Sequence, residues 1–445
     1  MSGYAEYREV NLPWLKAVPA HWEIRRNKNI FTEQKEIVGE RSADYTLLSL
    51  TLNGIIPRDM DGGGKFPESF DKYKIVKNGD MAFCLFDIDE TPRTVGLSGY
   101  NGMLTGAYTI MRVSNINARF IYYYYLALDN GKMLRPLYTG LRKTININTF
   151  QSTKVPVPPR EEQDQIVRFL DWKVSSINKL IRIRKRRIEE LEAIKRSSIG
   201  YLVMGQAQSI PQRGTAVSWV KTIPAHWNEK SLIQVAEEQQ IKNAGMVEDN
   251  LLSLSYGKII NKDIKTTDGL LPSSFEGYQI VHDGNIILRL TDLQNDHKSL
   301  RTGLVTQTGI ITSAYTCLNV RHNILPEYLQ LQLHVADLCK VFYGMGGGVR
   351  QSIGFKEIRK LVIAIPPVEE QQHILDSVHS IEKPINCAIQ NSRDIIAGLE
   401  DLKMRLISDT VTGKIDVRGI EIPKYEFVDE DTDADNEDCG EEETE

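Results

Sequence analysis

The chain has 445 residues, of which 41% are hydrophobic and 25% are charged, and its formal net charge is −5. That length exceeds what a single hydrophobic core usually supports, and the composition excludes a chain that is disordered throughout. No apolar run is long enough to cross a membrane, and the first residues lack the basic and apolar regions of a secretion signal. We therefore expect a cytoplasmic protein with two or more domains and no membrane partner.

The charge is unevenly distributed along the chain. Residues 429–445 hold eleven acidic side chains and no basic ones, so the remainder of the chain carries a formal charge of +6. A mildly basic body suits a polyanionic ligand, and the acidic end is predicted to be a disordered tail. The tail either keeps the protein soluble or tunes its affinity for DNA.

The five cysteines form no CxxC pair, which argues against a disulfide framework and against a zinc site. They also do not recur at matching places in the two halves of the chain. We expect buried free thiols at these positions, which are Cys84, Cys317, Cys339, Cys387 and Cys439.

The chain contains a tandem repeat. The segment Trp14–Trp22 returns as Trp219–Trp227, and Pro158–Gln163 returns as Pro366–Gln371. A period of roughly 205 residues is far longer than that of solenoids and propellers, so a whole domain has been duplicated. Two similar domains on one chain indicate two similar ligands, or one ligand with two similar parts.

A mixed segment comes first in each half. Short β-rich runs separated by Gly, Asn and Asp turns predict strands, and in the first half these runs are Tyr45–Leu52, Tyr73–Val76, Met81–Phe86 and Tyr108–Val113. The tyrosine-rich run Phe120–Leu128 predicts a helix packed on that sheet, with Pro326–Val335 as its counterpart. Each half is therefore expected to be an α+β globular domain.

A long helix follows each mixed segment. The proline pairs at 158–159 and 366–367 end the preceding strand, and the acidic pairs after them suit a helix N-terminus. Gly205 and Gly413 are suited to cap the C-termini, which gives helices of about 45 residues and roughly 65 Å. The predicted segments are a first domain 1–157, a long helix 158–205, a linker 206–218, a second domain 219–365, a long helix 366–413, a C-terminal extension 414–428 and the tail 429–445.

Apolar residues recur in both long helices at alternating steps of four and three, which predicts a heptad seam. They are Leu170, Val174, Ile177, Ile181, Ile188, Leu191 and Leu202 in the first helix, and Ile374, Val378, Ile381, Ile385, Ala388, Ile395, Leu399, Leu402 and Leu406 in the second. Because a globular domain returns the chain between them, the helices are expected to pair antiparallel as an intramolecular coiled coil. Arg184 and Lys195 fall on the seam, where they would fix the register or face a partner protein. Pro384 should kink or break the second helix.

The first helix also carries a basic cluster, Arg182–Arg187. Inside a helix these side chains spread around the axis, so the cluster is either a solvated face or a direct contact with phosphate. The second helix has no equivalent cluster, which would be odd for a DNA site shared by both helices.

Sequence signatures of catalysis are absent. The chain has no P-loop, no dinucleotide-binding glycine motif, and neither HExxH nor GxSxG. Gly344–Gly348 is the nearest approach, and it is either a flexible loop or one that lets backbone approach a phosphate. The proline pairs lack the flanking residues of a DNA aminomethyltransferase tetrad, so we expect no intrinsic catalysis and no metal or cofactor bound by this chain.

Matched polar residues in the two halves point instead to DNA binding. Arg142 and Arg350 occupy corresponding places and are followed by Lys143 and Gln351, side chains that suit base-edge or phosphate contacts. The other matched candidates are Arg93, Thr105 and Tyr108 in the first half and Arg301, Thr312 and Tyr315 in the second. The alternative for each arginine is a structural ion pair within its domain. The paired tryptophans are expected to be core anchors rather than platforms for bases, and they are Trp14, Trp22, Trp219 and Trp227.

Over residues 10–415 the chain resembles the specificity subunits of type I restriction-modification systems. The resemblance rests on the Pro-Pro-x-Glu-Glu-Gln-x-x-Ile signature at Pro158–Ile166 and again at Pro366–Ile374. It rests also on the long helix after each copy and on the Pro-Ala-His-Trp segment that opens each half. One such signature is a modest indication, whereas two copies at this spacing are specific.

The resemblance implies that each globular half is a target recognition domain that reads one half of a bipartite, asymmetric double-stranded DNA sequence. The two antiparallel helices would set the spacing and dock two methyltransferase subunits, and through these the restriction and translocase subunits. The chain itself would be noncatalytic, and S-adenosylmethionine, ATP and Mg²⁺ would belong to the partners. The implied fold is α+β, with two mixed α/β recognition domains in tandem and a pseudo-twofold internal repeat.

Two other functions stay open at the level of sequence. The chain could be a self-sufficient DNA methyltransferase or endonuclease, which methyl transfer or cleavage by the pure chain would reveal. It could also be a coiled-coil protein scaffold without DNA specificity, which a failure to bind any duplex specifically would indicate. The target bases and the spacer length depend on loop geometry that the sequence does not give.

Overall fold

The computed structural model describes residues 3–58, 67, 69–140, 142–206, 210–264, 274–293, 296, 300–321, 323–345 and 352–429. The chain forms two compact units. Unit 1 comprises Met1–Arg186 and Ser392–Glu445, and unit 2 comprises Arg187–Asn391. Each unit therefore contains one of the globular segments expected from the sequence, together with parts of both long helices.

Unit 1 is built on an antiparallel four-stranded sheet. The strands of unit 1 are β1 (Tyr7–Leu12), β2 (Leu15–Pro19), β3 (Glu23–Arg26), β4 (Phe31–Gln34), β5 (Leu48–Thr51), β6 (Gly54–Pro57), β7 (Lys74–Val76), β8 (Asp80–Phe83), β9 (Val95–Leu97), β10 (Gly102–Leu104), β11 (Thr109–Val113) and β12 (Lys154–Val157). Its helices are α1 (Ala118–Asn130), α2 (Ile147–Ser152) and the first part of α3 (Arg160–Val203), with 3-10 turns at Asn27–Asn29, Gly39–Asp44 and Arg135–Leu137. The central sheet has the order β4-β11-β8-β9, and the pairs β1-β2, β3-β12, β5-β6 and β7-β10 accompany it.

The central sheet of unit 1 is buried on both faces. Successive side chains of a strand point to opposite faces of a sheet, so neighbouring residues enter different cores. Ile110 of β11 lies opposite Ala82 of β8, and both belong to a core that includes Leu50. Met111 and Met81, the next pair in the register, belong to the larger core that contains α1. The sheet therefore links the two cores of this unit.

Unit 2 repeats this architecture. Its strands are β13 (Gln212–Gly214), β14 (Thr222–Pro224), β15 (Asn228–Ser231), β16 (Ala236–Gln239), β17 (Ile241–Lys242), β18 (Leu252–Ser255), β19 (Lys258–Asn261), β20 (Gln279–Val281), β21 (Ile286–Leu288), β22 (Thr302–Leu304), β23 (Gly309–Ile311), β24 (Thr316–Val320) and β25 (Val362–Ile365). Its helices are α4 (Leu232–Val235), α5 (Pro326–Leu338), α6 (Phe355–Ile358) and the first part of α7 (Val368–Val411), with a 3-10 turn at Val341–Gly344. The order β16-β24-β21-β22 matches β4-β11-β8-β9 of unit 1, so the repeat is present in the topology as well as in the sequence.

Both long helices end at the predicted glycines. α3 and α7 are 44 residues long each. Gly205 has a φ of +65° and Gly413 a φ of +77°, a left-handed conformation that glycine adopts without strain. The amide after each glycine donates to a carbonyl in the last helical turn, from Gln206 to Tyr201 at 3.0 Å and from Lys414 to Asp409 at 2.8 Å. Together with the bonds from the glycine amides themselves, these are Schellman caps.

The two repeated sequence motifs contact each other in unit 1. Trp22 donates its indole N–H to Glu162 at 2.9 Å, and His21 Nε2 lies 2.7 Å from the same carboxylate. The ring of Trp22 and the ring of Pro19 also close over Gly413, where a Cβ atom would come within 3.2 Å of Trp22. The Pro-Ala-His-Trp segment therefore joins the start of α3 to the cap of α7.

Unit 2 contains the same junction with the helices exchanged. Trp227 donates to Glu370 at 3.0 Å, and His226 Nε2 lies 2.8 Å from that carboxylate. A Cβ atom at Gly205 would lie 2.5 Å from Pro224 and 2.7 Å from Trp227. The second Pro-Ala-His-Trp segment therefore joins the start of α7 to the cap of α3. As expected from the sequence, Trp22 and Trp227 are core residues, with 1% and 2% of their surface exposed.

The long helices contact each other in both units. In unit 1, Lys403 Nζ of α7 lies 3.5 Å from Asn178 Oδ1 of α3, and Trp22 joins Glu162 at the start of α3 to Gly413 at the end of α7. The partner numbers fall as the α3 numbers rise, so the chain directions are opposite. In unit 2, Lys195 of α3 pairs with Glu382 of α7 at 3.0 Å.

The heptad interpretation is wrong at Leu402, which has 52% of its surface exposed. Arg184 is exposed as well, so of its two predicted roles the contact with a partner protein stays a prediction. Leu406, a predicted seam residue, is buried, and so is its neighbour Ile407. An α-helix with 3.6 residues per turn drifts by about 20° per heptad against a strict seven-residue repeat, so a seam extrapolated over several heptads moves off the packed face.

α7 is continuous through Pro384, so the predicted break is wrong, whereas the predicted kink stays a prediction. Pro384 lies on an exposed part of α7, and its ring removes one backbone donor without burying the carbonyl that loses its partner. Water can satisfy such a carbonyl, so the helix does not have to end there.

The prediction of buried thiols holds for Cys84 and Cys317 and is wrong for Cys339 and Cys387, which are exposed. Burial raises the pKa of Cys84 to about 11 because desolvation disfavours the thiolate. Cys439 lies outside the described residues.

Candidate nucleic-acid interface

Arg142 lies in a short hairpin of unit 1. Thr139 and Thr144 exchange backbone hydrogen bonds of 3.1 and 3.2 Å, and Lys143 takes a left-handed conformation with a φ of +44°. The Arg142 carbonyl accepts the amide of Asp87 at 2.9 Å. The backbone at Arg142 is therefore fixed to the neighbouring loop, residues 87–90.

Asp89 in that loop holds the hairpin through its side chain. It accepts hydrogen bonds from the Tyr138 hydroxyl at 2.7 Å and from Arg135 at 3.0 Å. Lys143 donates to the adjacent Glu90 at 2.8 Å. The bond from Tyr138 lowers the pKa of Asp89, and the bond to Glu90 raises the pKa of Lys143. The side chains of Lys143, Arg135 and Tyr138 are therefore already bonded to the carboxylates of Asp89 and Glu90.

The guanidinium of Arg142 is exposed, and no described residue forms a hydrogen bond or an ion pair with it. Its backbone is held, and its side chain is exposed and carries five N–H donors. That combination is what a contact with a guanine edge or a phosphate requires. Of the three described candidate arginines, Arg142 alone is exposed.

Arg93 is engaged within unit 1. Its guanidinium, 12% exposed, forms an ion pair with Asp129 at 3.3 Å and donates to Asn130 at 2.8 Å. It also reaches the Leu52 carbonyl at 3.3 Å. These contacts favour a structural role, in which Arg93 joins the end of α1 to β5.

Arg301 is buried completely in unit 2. Its guanidinium donates to the carbonyls of Arg289 at 3.1 Å and Thr291 at 2.8 Å, and to the Tyr343 hydroxyl at 3.0 Å. The Asp296 carbonyl is a further acceptor. Such a set of bonds organises the loop after β21, so Arg301 is placed as a structural residue rather than as a contact to DNA.

The hydrogen bonds also show that Arg93 and Arg301 are not equivalent. The amide of Thr94 donates to Asp129 at 3.0 Å, and the amide of Arg301 donates to Asp337 at 2.8 Å. Arg301 therefore corresponds to Thr94 in the repeat. The sequence comparison that matched Arg301 with Arg93 is off by one residue. The sequence signal for Asp129 and Asp337 was their shared place near the ends of the matched helices α1 and α5.

The matched Thr/Tyr candidates form equivalent turns. The Tyr108 amide donates to the Thr105 carbonyl at 3.2 Å, and the Tyr315 amide donates to the Thr312 carbonyl at 3.3 Å. Tyr108 is buried, and Tyr315 is partly buried against a corresponding core. Gln279 donates to the carbonyls of both Thr312 and Tyr315, at 3.1 and 2.7 Å. The tyrosines are thus held by packing, and the threonines remain partly exposed.

Arg350 and Gln351 lie outside the described residues, as does most of the glycine-rich segment beginning at Gly344. Of the two matched arginines Arg142 and Arg350, the structure therefore describes only Arg142.

The predicted coiled-coil residues of the long helices lie in both units. In unit 1, Leu170, Ile177, Ile181 and Leu406 are buried in the core and Leu399 packs against it. In unit 2, Leu191 and Val378 are buried, and Ile188, Ile381 and Ile385 are partly buried. Lys195 contacts both Glu382 and Asn386 at 3.0 Å.

Sequence reasoning singled out both repeated motifs and missed that they bind each other. In unit 1, Gln163 accepts the Asn117 amide at 2.8 Å and donates to the Pro158 carbonyl at 2.8 Å. In unit 2, Gln371 accepts the Leu325 amide at 2.8 Å. The Glu-Gln pair of each signature is thus a structural joint between a long helix and its globular segment.

The part of the chain that the structure describes lacks two features. No group of three or more His, Cys, Asp or Glu side chains there is arranged to hold a metal ion. No helix there is both long and apolar enough to cross a membrane.

Two segments of the chain, residues 70–193 and 303–395, match the model of the type I restriction modification DNA specificity domain. Each match covers the last strands of one globular segment and most of the long helix that follows it. They contain Arg142 of unit 1 and the corresponding stretch of unit 2.

The chain is also similar to the following proteins over most of its length. A protein of Methanocaldococcus jannaschii that is named as the specificity subunit of the type I restriction enzyme MjaX is 22% identical over 424 residues, which is 90% of this chain and 95% of that protein. A chain from a structure of a type I R-M system is 13% identical, with a TM-score of 0.58, and the match covers 89% of this chain and 99% of that one. The HsdS subunit of Thermoanaerobacter tengcongensis is 14% identical over 89% of this chain and 98% of its own, with a TM-score of 0.42.

The duplicated domain, the matched sheets and the helix junctions all recur at the repeat period of the sequence. Two matches to one DNA specificity domain and a relative of nearly the same length account for that duplication. Residues 70–193 and 303–395 thus belong to the family of type I restriction modification DNA specificity domains, and the chain is similar to a type I specificity subunit over 90% of its length.

Proposed function

We propose that each unit reads one half of a bipartite, asymmetric double-stranded DNA target, and that the chain itself performs no catalysis. The observation that carries this proposal is the pair of matches to one DNA specificity domain in a single chain. The scaffold of the two units is shared, whereas Leu141-Arg142-Lys143 in one half stands against Gly348-Val349-Arg350-Gln351 in the other. A shared scaffold with different loop residues suits two different half-sites.

The long helices act in this proposal as the spacer between the half-sites, paired as an antiparallel coiled coil. A helix of 44 residues spans about 66 Å at 1.5 Å per residue, long enough to set a fixed separation. Lys195, which contacts Glu382 and Asn386, is suited to fix the register of that pairing.

The same helices supply surface for protein partners. Leu180 and Ile183 in unit 1 are 49% and 54% exposed, and Ile194 and Tyr201 in unit 2 are 51% and 52% exposed. Large apolar side chains grouped on an exposed helix mark interaction sites. We assign them to two methyltransferase subunits, which in turn bind the restriction and translocase subunits. S-adenosylmethionine, ATP and Mg²⁺ then belong to those partners.

The test is to express this chain with its methyltransferase subunit in a host that lacks adenine methylation and to map the methylated adenines. A bipartite, asymmetric motif with a fixed spacer is expected. Replacing residues 1–157 by the first domain of another family member should change one half of the motif and leave the other half and the spacer intact. A single continuous motif, or a motif unchanged by the exchange, would overturn the proposal.

Two controls distinguish the other functions. The pure chain, incubated with duplex DNA, S-adenosylmethionine and Mg²⁺, should neither methylate nor cleave. Methylation without added subunits would show a self-sufficient enzyme. A chain that binds no duplex specifically at moderate salt, even with methyltransferase subunits present, would be a protein scaffold.

A further inference from the structure

The hairpin of β18 and β19 in unit 2 turns through a strained residue. Ser255 pairs with Lys258, so Tyr256 and Gly257 form a two-residue loop. Both have a positive φ, +46° for Tyr256 and +77° for Gly257, as in a type I′ turn. Asn, Asp or Gly normally occupies the first of these positions, because a bulky side chain is strained there. The turn therefore holds a tyrosine in an unfavourable conformation.

Contacts within the protein do not compensate for this strain. Tyr256 has 82% of its surface exposed, and no described residue forms a hydrogen bond or a ring contact with it. In the matching turn of unit 1, a glycine takes the left-handed conformation, Gly54 with a φ of +96°. Strained residues that lack a packing role are characteristic of ligand-binding sites. The ring and the hydroxyl of Tyr256 are accordingly available to a ligand.

The base of the hairpin is rigid. Leu252 and Leu254 of β18 are 2% and 8% exposed and belong to a buried core of unit 2. Gly303 of β22 lets this hairpin pack closely, since a Cβ atom there would lie 2.6 Å from Leu254 Cδ1 and 3.0 Å from Ile259 Cδ1. The tip therefore projects from a fixed base, and its position is set before any ligand binds.

The charge of the hairpin suits a polyanion. Residues 251–262 contain two lysines and no acidic residue. Lys258, the residue after the turn, is exposed, and no described residue forms an ion pair with its side chain. A two-stranded ribbon fits the major groove of B-DNA, which is about 12 Å wide. Shape and charge therefore favour duplex DNA as the ligand of this hairpin.

The turn lies beside the connection that carries the candidate interface. In unit 1, the connection between β8 and β9 holds the Arg142 hairpin, and Arg93 of that connection donates to the Leu52 carbonyl in the β5–β6 turn at 3.3 Å. In unit 2, the corresponding connection between β21 and β22 contacts the β18–β19 turn, because a Cβ atom at Gly257 would lie 3.2 Å from Leu300. The hairpin turn and the arginine hairpin thus flank one connection.

We propose that the tip of the β18–β19 hairpin enters the major groove of the half-site read by unit 2, where Tyr256 contacts a base pair and Lys258 contacts a phosphate. The inference rests on the proposed function and adds to it the residues that read one half-site. A tyrosine ring packs against a thymine methyl group, and its hydroxyl bonds to a base edge. Because the turn is already fixed, little loop entropy is lost when DNA binds.

The first test replaces the tyrosine by a residue that the turn prefers. Tyr256→Asn, purified with its methyltransferase subunit, is titrated with a duplex that carries the mapped methylation motif and with duplexes altered in either half. The half-site of unit 2 is the half that stays the same when residues 1–157 are exchanged. Discrimination against duplexes altered in that half should fall about 10-fold, and discrimination in the other half should stay as in the wild type.

Thermal stability separates a DNA contact from a structural role. The melting temperature of Tyr256→Asn should stay equal to that of the wild type or rise by up to about 2 °C, because the strain of the turn is released. A lower melting temperature together with weaker discrimination would show that Tyr256 supports the fold, and unchanged discrimination would show that it does not contact DNA. Either result would overturn the proposal.

Two further variants serve as controls. Leu52→Asn changes the matching turn position of unit 1, where Leu52 is 43% exposed, and should leave discrimination at the half-site of unit 2 unchanged. Lys258→Gln should weaken binding to the target and to an unrelated duplex alike, and should reduce the slope of log affinity against log salt concentration by about 1. A slope equal to that of the wild type would contradict the phosphate contact.

The results also distinguish this proposal from the function on which it rests. A wild-type complex that produces no bipartite methylation motif would overturn the proposed function. A wild-type complex that produces such a motif, combined with unchanged discrimination by Tyr256→Asn, would overturn only the contact assigned to Tyr256.

Discussion

Glu162 at the start of α3 accepts the indole N–H of Trp22 at 2.9 Å, although the two residues are 140 positions apart in the chain. The Tyr4 hydroxyl donates to the same carboxylate at 2.6 Å, and His21 Nε2 lies 2.7 Å from it. The carboxylate is 5% exposed, so these partners take the place of water. The motif at the start of the globular segment and the motif at its end are therefore two parts of one joint.

Glu162→Ala should lower the free energy of unfolding of unit 1 by about 2–4 kcal/mol, because buried donors lose their shared acceptor. Urea unfolding followed by circular dichroism measures the change. Glu161→Ala is the matched control, since Glu161 is exposed on the same turn and its loss should cost less than about 1 kcal/mol. Equal losses in the two variants would contradict the assigned role of the joint.

Gly413→Ala should destabilise unit 1 by about 2 kcal/mol or more. Gly413 has a φ of +77°, and a Cβ atom there would lie 2.6 Å from Pro19 Cγ and 3.2 Å from Trp22. Gly398→Ala is the control within the same helix, because a Cβ atom at Gly398 meets nothing within 4 Å. That change should stabilise the protein by about 0.5–1 kcal/mol through helix propensity, so the two glycines should give shifts of opposite sign in a thermal melt.

Arg142→Ala should weaken recognition of one half-site only, by about 1–3 kcal/mol or roughly 5- to 150-fold, and should leave stability unchanged. Competition assays with duplexes altered in one half or the other measure this. Arg160→Ala at the start of α3 is a control of equal charge, since Arg160 pairs locally with Asp164 at 3.0 Å. An equal loss of affinity at both half-sites would show that Arg142 is not a base contact.

Arg301→Ala should lower the stability of unit 2, in contrast to Arg142→Ala, which should lower only the affinity for DNA. The guanidinium is fully buried, so its removal leaves several carbonyls of the 289–296 loop without donors. We expect unit 2 to lose about 3–5 kcal/mol of stability, measured by urea unfolding. A variant that retains wild-type stability and loses only DNA affinity would place Arg301 at the interface.

Asp164 should contribute to stability at neutral pH and lose that contribution in acid. The Asn117 amide donates to it at 2.7 Å, and this bond, with Arg160, holds the pKa of Asp164 below its ordinary value. A depressed pKa in the folded state stabilises fully above the unfolded value of about 3.9 and is lost as the pH falls through the folded value. The side chain is 42% exposed, so the effect is screened and stays below about 1 kcal/mol. The stability difference between wild type and Asp164→Asn should therefore shrink between pH 6 and pH 3, and a difference that grows in acid would contradict it.

The two long helices and their ends could be predicted because their signals are local. The proline pairs, the acidic first turn and the glycines at 205 and 413 act within a few residues of the helix ends, and the structure confirms both helices and both caps. The seam was predictable only in part. Leu402 was extrapolated from a seven-residue repeat, and the true helical period displaced it from the packed face.

The candidate site was less predictable than the fold. Arg93, Arg142 and Arg301 look alike in the sequence, and each could bind either DNA or a carboxylate of its own domain. Burial separates them: Arg301 has no exposed surface, Arg93 has a carboxylate partner, and Arg142 faces solvent from a fixed hairpin. Burial depends on what distant segments cover, and that information is not contained in a local pattern.

The sequence by itself determined the duplication, the α+β character of each half, the length of the helices and the resemblance to a family. These follow from periodicity, capping residues and repeated motifs, which are properties of neighbours in the chain. Only the tertiary structure decided that Glu162 meets Trp22, that Arg301 is a core residue, and that the C-terminal extension ends beside Asn178. Those outcomes depend on contacts between segments that are far apart in the chain, whose free energies are set by burial and mutual satisfaction of polar groups rather than by residue type.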